Sequence, residues 1–287
     1  ILLKQADIIK KHAVDGYLYG RVGEDHFVVI ADEATFNEEY LYECRETLQN
    51  VLSDSVYNVR VCFGIYRTDN MNESLSFMCD KASFAVASIK DDTHSFIAYY
   101  DDTMLEAAIK YKTIVDEFDD AIKAGEFKMD LQPQISAKTR RLTGAEALVR
   151  RIKPDGTIIS PIDFIPVYEK SGLISRLDRY IWEQAAAKLG EWKKAGINMS
   201  ISVNISPKDF YYIDIFNTFA GLIKKYDIEP SNLKIEITET TIMSDVPNLM
   251  GELEELRKAG FTLEMDDFGS GYSSLNTLKD INVDVLK

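Results

Sequence analysis

The second part of the chain, residues 105–287, alternates apolar segments with helical patterns, and this alternation constrains the fold more than any other feature. Six segments have the length and residue types of strands: 128–134, 142–150, 199–205, 233–238, 261–266 and 283–287. Helical periodicity separates most of them, at residues 177–195, 213–225 and 246–259. Repeated strand–helix units predict an α/β fold with a parallel sheet, and here a TIM-like (β/α) barrel.

The length of this part predicts that the barrel is incomplete. Residues 105–287 number 183 when both ends are counted, whereas such barrels contain about 250 residues and rarely fewer than about 200. Six strand segments also leave at least two of the eight strands unaccounted for. We therefore expect the missing strands to follow Lys287 in the natural protein.

The first part of the chain, residues 1–104, predicts a separate α/β sandwich. Two strand-like runs at 17–22 and 27–31 are joined by a polar turn and suggest a hairpin. The remaining pattern comprises a helix, a strand, a helix and a strand, at residues 35–52, 59–65, 74–89 and 95–99. We place the domain boundary near Met104, and expect a helix through Ile114, Phe118 and Ile122, ended by Gly125, to join the two domains.

Charge and composition exclude some classes of function. The net charge of −14 argues against binding to a nucleic-acid polymer, which requires a basic surface. A small phosphate ligand stays compatible, provided that metals or a few placed basic residues reverse the local sign. No apolar run approaches the length of a membrane span, and Cys44, Cys62 and Cys79 lie in apolar or helical segments that suit buried, reduced thiols. These features predict a cytoplasmic protein, or the cytoplasmic part of a membrane-anchored one.

Acidic or amide residues recur at the ends of the predicted strands. They are Glu146, Asn204, Glu236, and Asp266 with Asp267, and Lys287 ends the last segment. Side chains of equal parity share one face of a strand, and the carboxyl ends of parallel barrel strands converge on one side of the barrel. Four carboxylates and an amide in a small volume would repel one another unless cations lay between them. All-oxygen ligands of this kind suit Mg²⁺ or Mn²⁺.

Each of these residues also has a simpler interpretation. A single acid at a strand end is commonly a helix cap or a loop hydrogen-bonding group, and Asp266-Asp267 before Phe268-Gly269 fits a polar loop with a cap. Lys287 alone indicates little. The recurrence on consecutive strands is what favours a metal site.

From Glu146-Ala147-Leu148 onwards, the second part resembles the EAL family of cyclic di-GMP phosphodiesterases. The resemblance covers nearly all of residues 105–287 and extends through several ordered motifs: Gln132-Pro133, Ser160–Pro166, Asn204–Pro207, Glu236–Glu239, Asp266–Leu275 and Leu286-Lys287. The family implies hydrolysis of cyclic di-GMP to linear pGpG with two divalent cations. It also includes a Glu and a Gln on later strands, which lie beyond Lys287, so we expect the chain as given to be inactive and the full-length protein to be an enzyme.

The resemblance assigns roles to particular residues. Glu146, Asn204, Glu236 and Asp266 would bind one metal, and Asp266 and Asp267 would serve the second. Gln132 and Arg150 would contact substrate, with Arg150 holding its phosphate. Glu239 would anchor the loop after Asp267, and Lys287 would assist the attacking water, so that Glu146, Asp266 and Lys287 form the catalytic set.

The segment Arg21–Phe27 resembles the hairpin of GGDEF diguanylate cyclase domains. Active members use two glycines near the nucleotide phosphates and an acid before the Phe as a metal ligand. In this turn, formed by Gly23, Glu24, Asp25 and His26 before Phe27, Glu24 replaces the second Gly and His26 replaces the acid. A carboxylate near phosphate and the loss of an oxygen ligand predict an inactive cyclase domain. The opening region of that family is also missing here.

Three functional hypotheses follow. The first is an enzyme that hydrolyses cyclic di-GMP, with the first domain regulating it or supporting a homodimer. The second is a catalytically silent receptor for the same dinucleotide. A scaffold that binds no nucleotide is the third. The presence of Arg150 and of the acidic residues at the strand ends weakens this hypothesis.

Overall fold

The computed structural model describes residues 2–13, 16–23, 25–52, 60–68, 70, 72–90, 92, 94–243, 246, 248–267 and 283–287. The chain forms two compact units, Ile1–Lys110 and Tyr111–Lys287. The division lies within one helix, which also contains the boundary predicted at 104/105. None of the helices in the described ranges is long and apolar enough to cross a membrane.

The first unit contains small sheets and helices. Its elements are α1 (Leu2–His12), β1 (Leu18–Arg21), β2 (Phe27–Ile30), α2 (Glu39–Leu52), β3 (Phe63–Ile65), α3 (Leu75–Ser88) and β4 (Ile97–Tyr99), followed by α4 (Asp102–Asp116). As predicted, β1 and β2 form an antiparallel hairpin, whereas β3 and β4 pair in parallel. Ser74 caps α3 by accepting a hydrogen bond from the backbone N–H of Phe77.

Two predictions for this unit were too long. The helix expected from residue 35 begins at Glu39, because Asp32 accepts backbone hydrogen bonds from Thr35 and Phe36 and so holds residues 32–36 in a turn. The strand expected over 59–65 is reduced to β3, and Val59 lies outside the described residues. Cys44, Cys62 and Cys79 are free thiols, and burial raises the pKa of Cys44.

The second unit alternates strands and helices along the chain. After α5 (Phe118–Lys123) come β5 (Phe127–Ile135), β6 (Leu142–Ile152), β7 (Ile158–Ile159), α6 (Pro161–Ser171), α7 (Ile174–Lys194), β8 (Ser200–Asn204), α8 (Asp209–Tyr212), α9 (Ile215–Tyr226), β9 (Leu233–Thr238), α10 (Glu239–Met243), α11 (Leu249–Lys258), β10 (Leu263–Asp266) and β11 (Val285–Leu286). Gly125 follows α5 with φ +65°, which supports its predicted role as a helix stop.

These strands form one mixed sheet in the order β11-β10-β9-β8-β6-β5, with β7 beside β6. The pairs β6–β8, β8–β9, β9–β10 and β10–β11 are parallel, as the alternation with helices predicted, and the short β7 pairs antiparallel with β6. However, β5 runs antiparallel to β6. The six residues between these two strands are too few for the crossover that a parallel pair needs.

The two faces of the sheet have opposite chemistry. The odd-numbered residues of β8, β9 and β10 are fully buried beneath the helices: Ile201, Val203, Leu233, Ile235, Ile237, Leu263 and Met265. Each such side chain contributes roughly 1.5–3 kcal/mol when removed from water. Because successive side chains alternate, the even-numbered residues turn to the other face, and these are mainly polar or charged. The burial of the apolar side chains therefore fixes the face of the sheet to which the polar side chains point.

Candidate active site

Adjacent strands bring the predicted site residues into register. Asn204 on β8 is opposite Glu236 on β9, and Glu236 is opposite Glu264 on β10. The backbone N–H of Ile205 donates to the Glu236 carbonyl at 2.9 Å, which fixes the end of β8 beside β9. The polar face of these strands is thus assembled by ladder hydrogen bonds rather than by a loop.

Backbone contacts with β10 hold Lys287 at the end of β11. Its N–H donates to the Met265 carbonyl at 2.8 Å. Three residues earlier, Asp284 donates its N–H to the Leu263 carbonyl and accepts the Leu263 N–H at Oδ2, each at 2.9 Å. Contacts at both ends of β11 therefore place the Lys287 side chain on the polar face.

The Lys287 ammonium lies among three carboxylates. Its Nζ forms a hydrogen bond with Glu236 Oε2 and lies 3.2 Å from Glu264 Oε2 and 3.7 Å from Glu146 Oε2. Glu236 and Glu264 are buried, and Glu146 and Lys287 are about one-quarter exposed or less. The net effect of these carboxylates raises the pKa of Lys287, although burial alone would lower it.

Glu236 shows how much negative charge is concentrated here. Burial is the main cause that raises its pKa to about 7, and the charges of Glu146 and Asp266 raise it further while Lys287 opposes them. Its Oε1 is buried and has no hydrogen-bond partner among the described residues. A buried acceptor beside other acids is a position that a cation stabilises.

The donor chemistry of this cluster fits a hard divalent cation, since carboxylate and amide oxygens are the ligands that Mg²⁺ and Mn²⁺ prefer. The described residues nevertheless contain no group of three His, Cys, Asp or Glu side chains already arranged around one point as metal ligands. The predicted convergence is thus only partial, and Lys287 supplies the positive charge among Glu146, Glu236 and Glu264.

Asn204, Asp266 and Asp267 occupy the rim of this cluster. Asn204 is exposed, and its backbone carbonyl accepts the indole N–H of Trp182 at 2.9 Å. Asp266 ends β10 beside Thr238 and is half-buried. Asp267 follows with φ +57°, in the left-handed region.

The predicted substrate residues lie on the two antiparallel strands. Gln132 on β5 is opposite Glu146 on β6 and is exposed. The Arg150 side chain is 33% exposed, and its Nε lies 3.4 Å from Asp130 Oδ2. Glu239, the predicted loop anchor, begins α10 and is buried. The loop that it was predicted to anchor, residues 268–282, lies outside the described residues.

In the first unit, the residues of the altered turn connect β1 to β2. The Val22 N–H donates to the His26 carbonyl at 3.0 Å, and Arg21 Nε donates to the Gly23 carbonyl at 2.9 Å. His26 and Asp25 are largely exposed, with Nδ1 3.8 Å from Oδ1, and Phe27 begins β2. Glu24 lies outside the described residues.

The sequence reasoning missed Glu264, Lys234 and Ser202 as members of the site. Glu264 accepts hydrogen bonds from Lys234 Nζ at 2.8 Å and from Ser202 Oγ at 2.7 Å. Each of the three residues lies two positions before a predicted ligand: Asp266, Glu236 and Asn204 respectively. Side chains two positions apart share one face of a strand, so the residues two positions before each predicted ligand could have been included.

Together, the polar strand ends and the strand–helix alternation define an α/β domain with a cluster of acidic side chains around Lys287 at the carboxyl ends of its strands. The EAL domain family matches residues 115–287. The chain therefore belongs to the EAL-domain family.

Known proteins are similar over much of the chain. The signaling protein YkoW of Bacillus subtilis is 29% identical over 95% of this chain and 35% of its own length. The probable cyclic di-GMP phosphodiesterase PdeI of Escherichia coli is 29% identical over 92% and 36%. The chain thus spans little more than a third of the length of these relatives. A solved structure of the phosphodiesterase PaMucR in complex with c-di-GMP is 30% identical, with a TM-score of 0.57 over 61% of this chain and 71% of that one.

Proposed function

We propose that this chain is the phosphodiesterase part of a protein that hydrolyses cyclic di-GMP to linear pGpG. The observation that carries the proposal is the convergence of Glu146, Glu236 and Lys287 at one end of the sheet in a chain of the EAL-domain family. The name of PdeI and the c-di-GMP bound to PaMucR support the choice of substrate.

The acidic residues are proposed to hold two divalent cations, Mg²⁺ or Mn²⁺. Glu146, Asn204, Glu236 and Asp266 would hold one cation, and Asp266 and Asp267 the second. When bound, such a pair of cations lowers the pKa of a water molecule and stabilises negative charge on the phosphoryl oxygens. The buried, unpartnered Glu236 Oε1 supports its assignment as a ligand.

The remaining side chains would position water and substrate. The Lys287 ammonium has three N–H donors, and from its place beside Glu146 and Glu236 it can orient the attacking water and offset negative charge. Arg150 is partly exposed, and its guanidinium suits bidentate binding of a phosphate. Gln132, exposed on the strand next to Glu146, would bind the same ligand.

The test is a product assay with the full-length protein. We expect cyclic di-GMP to be converted to pGpG in the presence of Mg²⁺ or Mn²⁺, as measured by ion-exchange chromatography, and Glu146→Gln to abolish the conversion. An inactive full-length protein would contradict the proposal.

A receptor that binds cyclic di-GMP without cleaving it is the second candidate. The observation that favours it is Lys287, whose ammonium lies beside Glu236 and Glu264 and offsets part of the negative charge of the acidic cluster. Isothermal titration calorimetry separates the two candidates, since binding of the dinucleotide with no pGpG formed would establish the receptor.

For the first unit we propose a regulatory role without cyclase activity. The exposed His26 stands in the turn where the resemblance requires an acid, and imidazole is a poor ligand for Mg²⁺. We expect incubation with GTP to yield no cyclic di-GMP. Production of cyclic di-GMP would contradict this role.

A further inference from the structure

We infer that Glu264 is a positioning residue for Lys287, an inference that rests on the proposed phosphodiesterase function. Glu264 Oε2 lies 3.2 Å from Lys287 Nζ, and Glu264 is two residues before the end of β10. Glu264 is not among the proposed metal ligands. It would hold the ammonium in place while the other two carboxylates act as metal ligands.

Glu264 is itself fixed from two neighbouring strands. Its Oε1 accepts a hydrogen bond from Lys234 Nζ on β9 at 2.8 Å, and its Oε2 accepts one from Ser202 Oγ on β8 at 2.7 Å. Gln134 Nε2 on β5 in turn donates to Ser202 Oγ at 3.3 Å. Four strands therefore contribute to one connected polar network around this carboxylate.

Hydrogen bonds hold the buried Glu264 carboxylate in one place. The side chain is 2% exposed, and its two oxygens accept hydrogen bonds from Lys234 Nζ and Ser202 Oγ. Leaving a buried carboxylate unpaired would be costly, whereas a paired and hydrogen-bonded one is tolerated. The position of the Glu264 carboxylate is consequently fixed by hydrogen bonds from the neighbouring strands.

The partners of Lys287 divide according to their proposed roles. Glu146 and Glu236 are proposed metal ligands, so their oxygens would be engaged when cations bind. Glu264 has one oxygen paired with Lys234 and directs the other towards Lys287. It is therefore the one carboxylate of these three that can still hold the ammonium in the metal-loaded protein.

Removing the Glu264 charge should leave the Lys287 ammonium held by Glu236 and Glu146 alone. The main chain of Lys287 would stay tied to β10 through the Met265 carbonyl, so the change would be confined to the side chain. A misplaced ammonium would orient water poorly and compete with cations for Glu236. Small displacements of a catalytic group can lower the rate on the order of 100-fold.

The test is a double-mutant cycle in the full-length protein. Glu264→Gln is expected to lower kcat about 10- to 100-fold with KM changed by less than about threefold. In a Lys287→Met background, Glu264→Gln should cause no further loss, because it acts through the lysine. Wild-type kcat in Glu264→Gln, or losses that multiply in the double variant, would overturn the inference.

A matched control tests whether the loss of any Glu–Lys contact lowers kcat. Glu183 on α7 accepts a hydrogen bond from Lys225 Nζ at 2.5 Å on the outer helical layer, far along the chain from the acidic cluster. Glu183→Gln should leave kcat unchanged. Equal losses in Glu183→Gln and Glu264→Gln would show a general effect on folding and overturn the positioning role.

A second readout does not depend on activity. In ¹⁵N spectra of the lysine ε-ammonium groups recorded with Mg²⁺, Lys287 should give a protected signal in the wild-type protein and none in Glu264→Gln. An unchanged signal in Glu264→Gln would overturn the inference. If the wild-type protein forms no pGpG, the proposed function fails, while these spectra still decide whether Glu264 holds Lys287.

Discussion

The indole N–H of Trp182 on α7 donates a hydrogen bond to the backbone carbonyl of Asn204 at 2.9 Å. Trp182 is almost fully buried. Its hydrogen bond connects α7 to the end of β8, where Asn204, a proposed metal ligand, lies. Its neighbour Phe219 packs against the indole at 4.9 Å between ring centroids.

We therefore predict that Trp182→Phe weakens cation binding while preserving the fold. The Phe ring keeps most of the packing but leaves the Asn204 carbonyl without its donor, which costs on the order of 1–3 kcal/mol. Chemical denaturation should show this loss, and the Mn²⁺ concentration for half-maximal activity should rise. An unchanged Mn²⁺ requirement would contradict the positioning of Asn204 by Trp182.

Arg151 gives a prediction about stability rather than catalysis. The side chain is 2% exposed, and it pairs with Glu117 at 2.6 Å and with Glu126 at 3.0 Å. Arg151→Ala would leave two partly buried carboxylates without their common partner, and we expect a loss of about 3–5 kcal/mol. The control is Arg176→Ala, which removes a pair with Asp119 in which both side chains are more than half exposed, and it should cost less than about 1 kcal/mol.

The neighbouring carboxyl groups of half-buried Asp178 and buried Asp209 predict a pH-dependent stability. Burial is the main cause that raises both pKa values, that of Asp209 to about 6, and the charge of Asp209 raises that of Asp178 further. The folded protein then retains protons that the unfolded chain releases above about pH 4. Stability contributed by the protonated pair is complete below about pH 4 and is lost as the pH rises through about 6.

Urea unfolding at intervals from pH 4 to 7 checks this direction. Asp178→Asn should flatten the decline, because an amide donates a hydrogen bond to Asp209 at every pH in the range. The control Asp214→Asn changes an exposed N-cap that accepts the Asn217 N–H, and it should keep the decline. The same pH dependence of stability in Asp178→Asn and in the wild-type protein would contradict the assignment.

Lys287→Met tests the charge balance of the acidic cluster. Without metal, this change removes the ammonium from Glu146, Glu236 and Glu264, so the melting temperature should fall. Added Mn²⁺ should raise the melting temperature more in the variant than in the wild type, since a ligand that binds only the folded state stabilises it. No shift in either protein would show that cations do not occupy this cluster.

The elements that sequence predicted best are those with a strong periodic pattern. β9 matches its predicted limits because Ile235 and Ile237 alternate strictly with polar residues. The antiparallel direction of β5 was not predicted, since strand periodicity carries no information about direction. It depends on the short connection to β6.

The sequence predicted the site only as far as the alternation of side chains along a strand shows which residues share a face. Glu146, Glu236 and Lys287 meet as the sequence indicated, but parity cannot show that Lys287 contacts Glu236 directly. Nor could it show that Glu264 accepts from Lys234 and Ser202. These contacts depend on strand register and side-chain conformation, which arise only when the sheet is assembled.

The most direct test of the proposed function is hydrolysis of cyclic di-GMP by the full-length protein in ¹⁸O-labelled water with Mg²⁺. We predict pGpG that carries one heavy oxygen on its terminal phosphate, as measured by mass spectrometry, and none from Glu146→Gln. Intact cyclic di-GMP after prolonged incubation, or pGpG without the label, would contradict metal-assisted attack by water at this site.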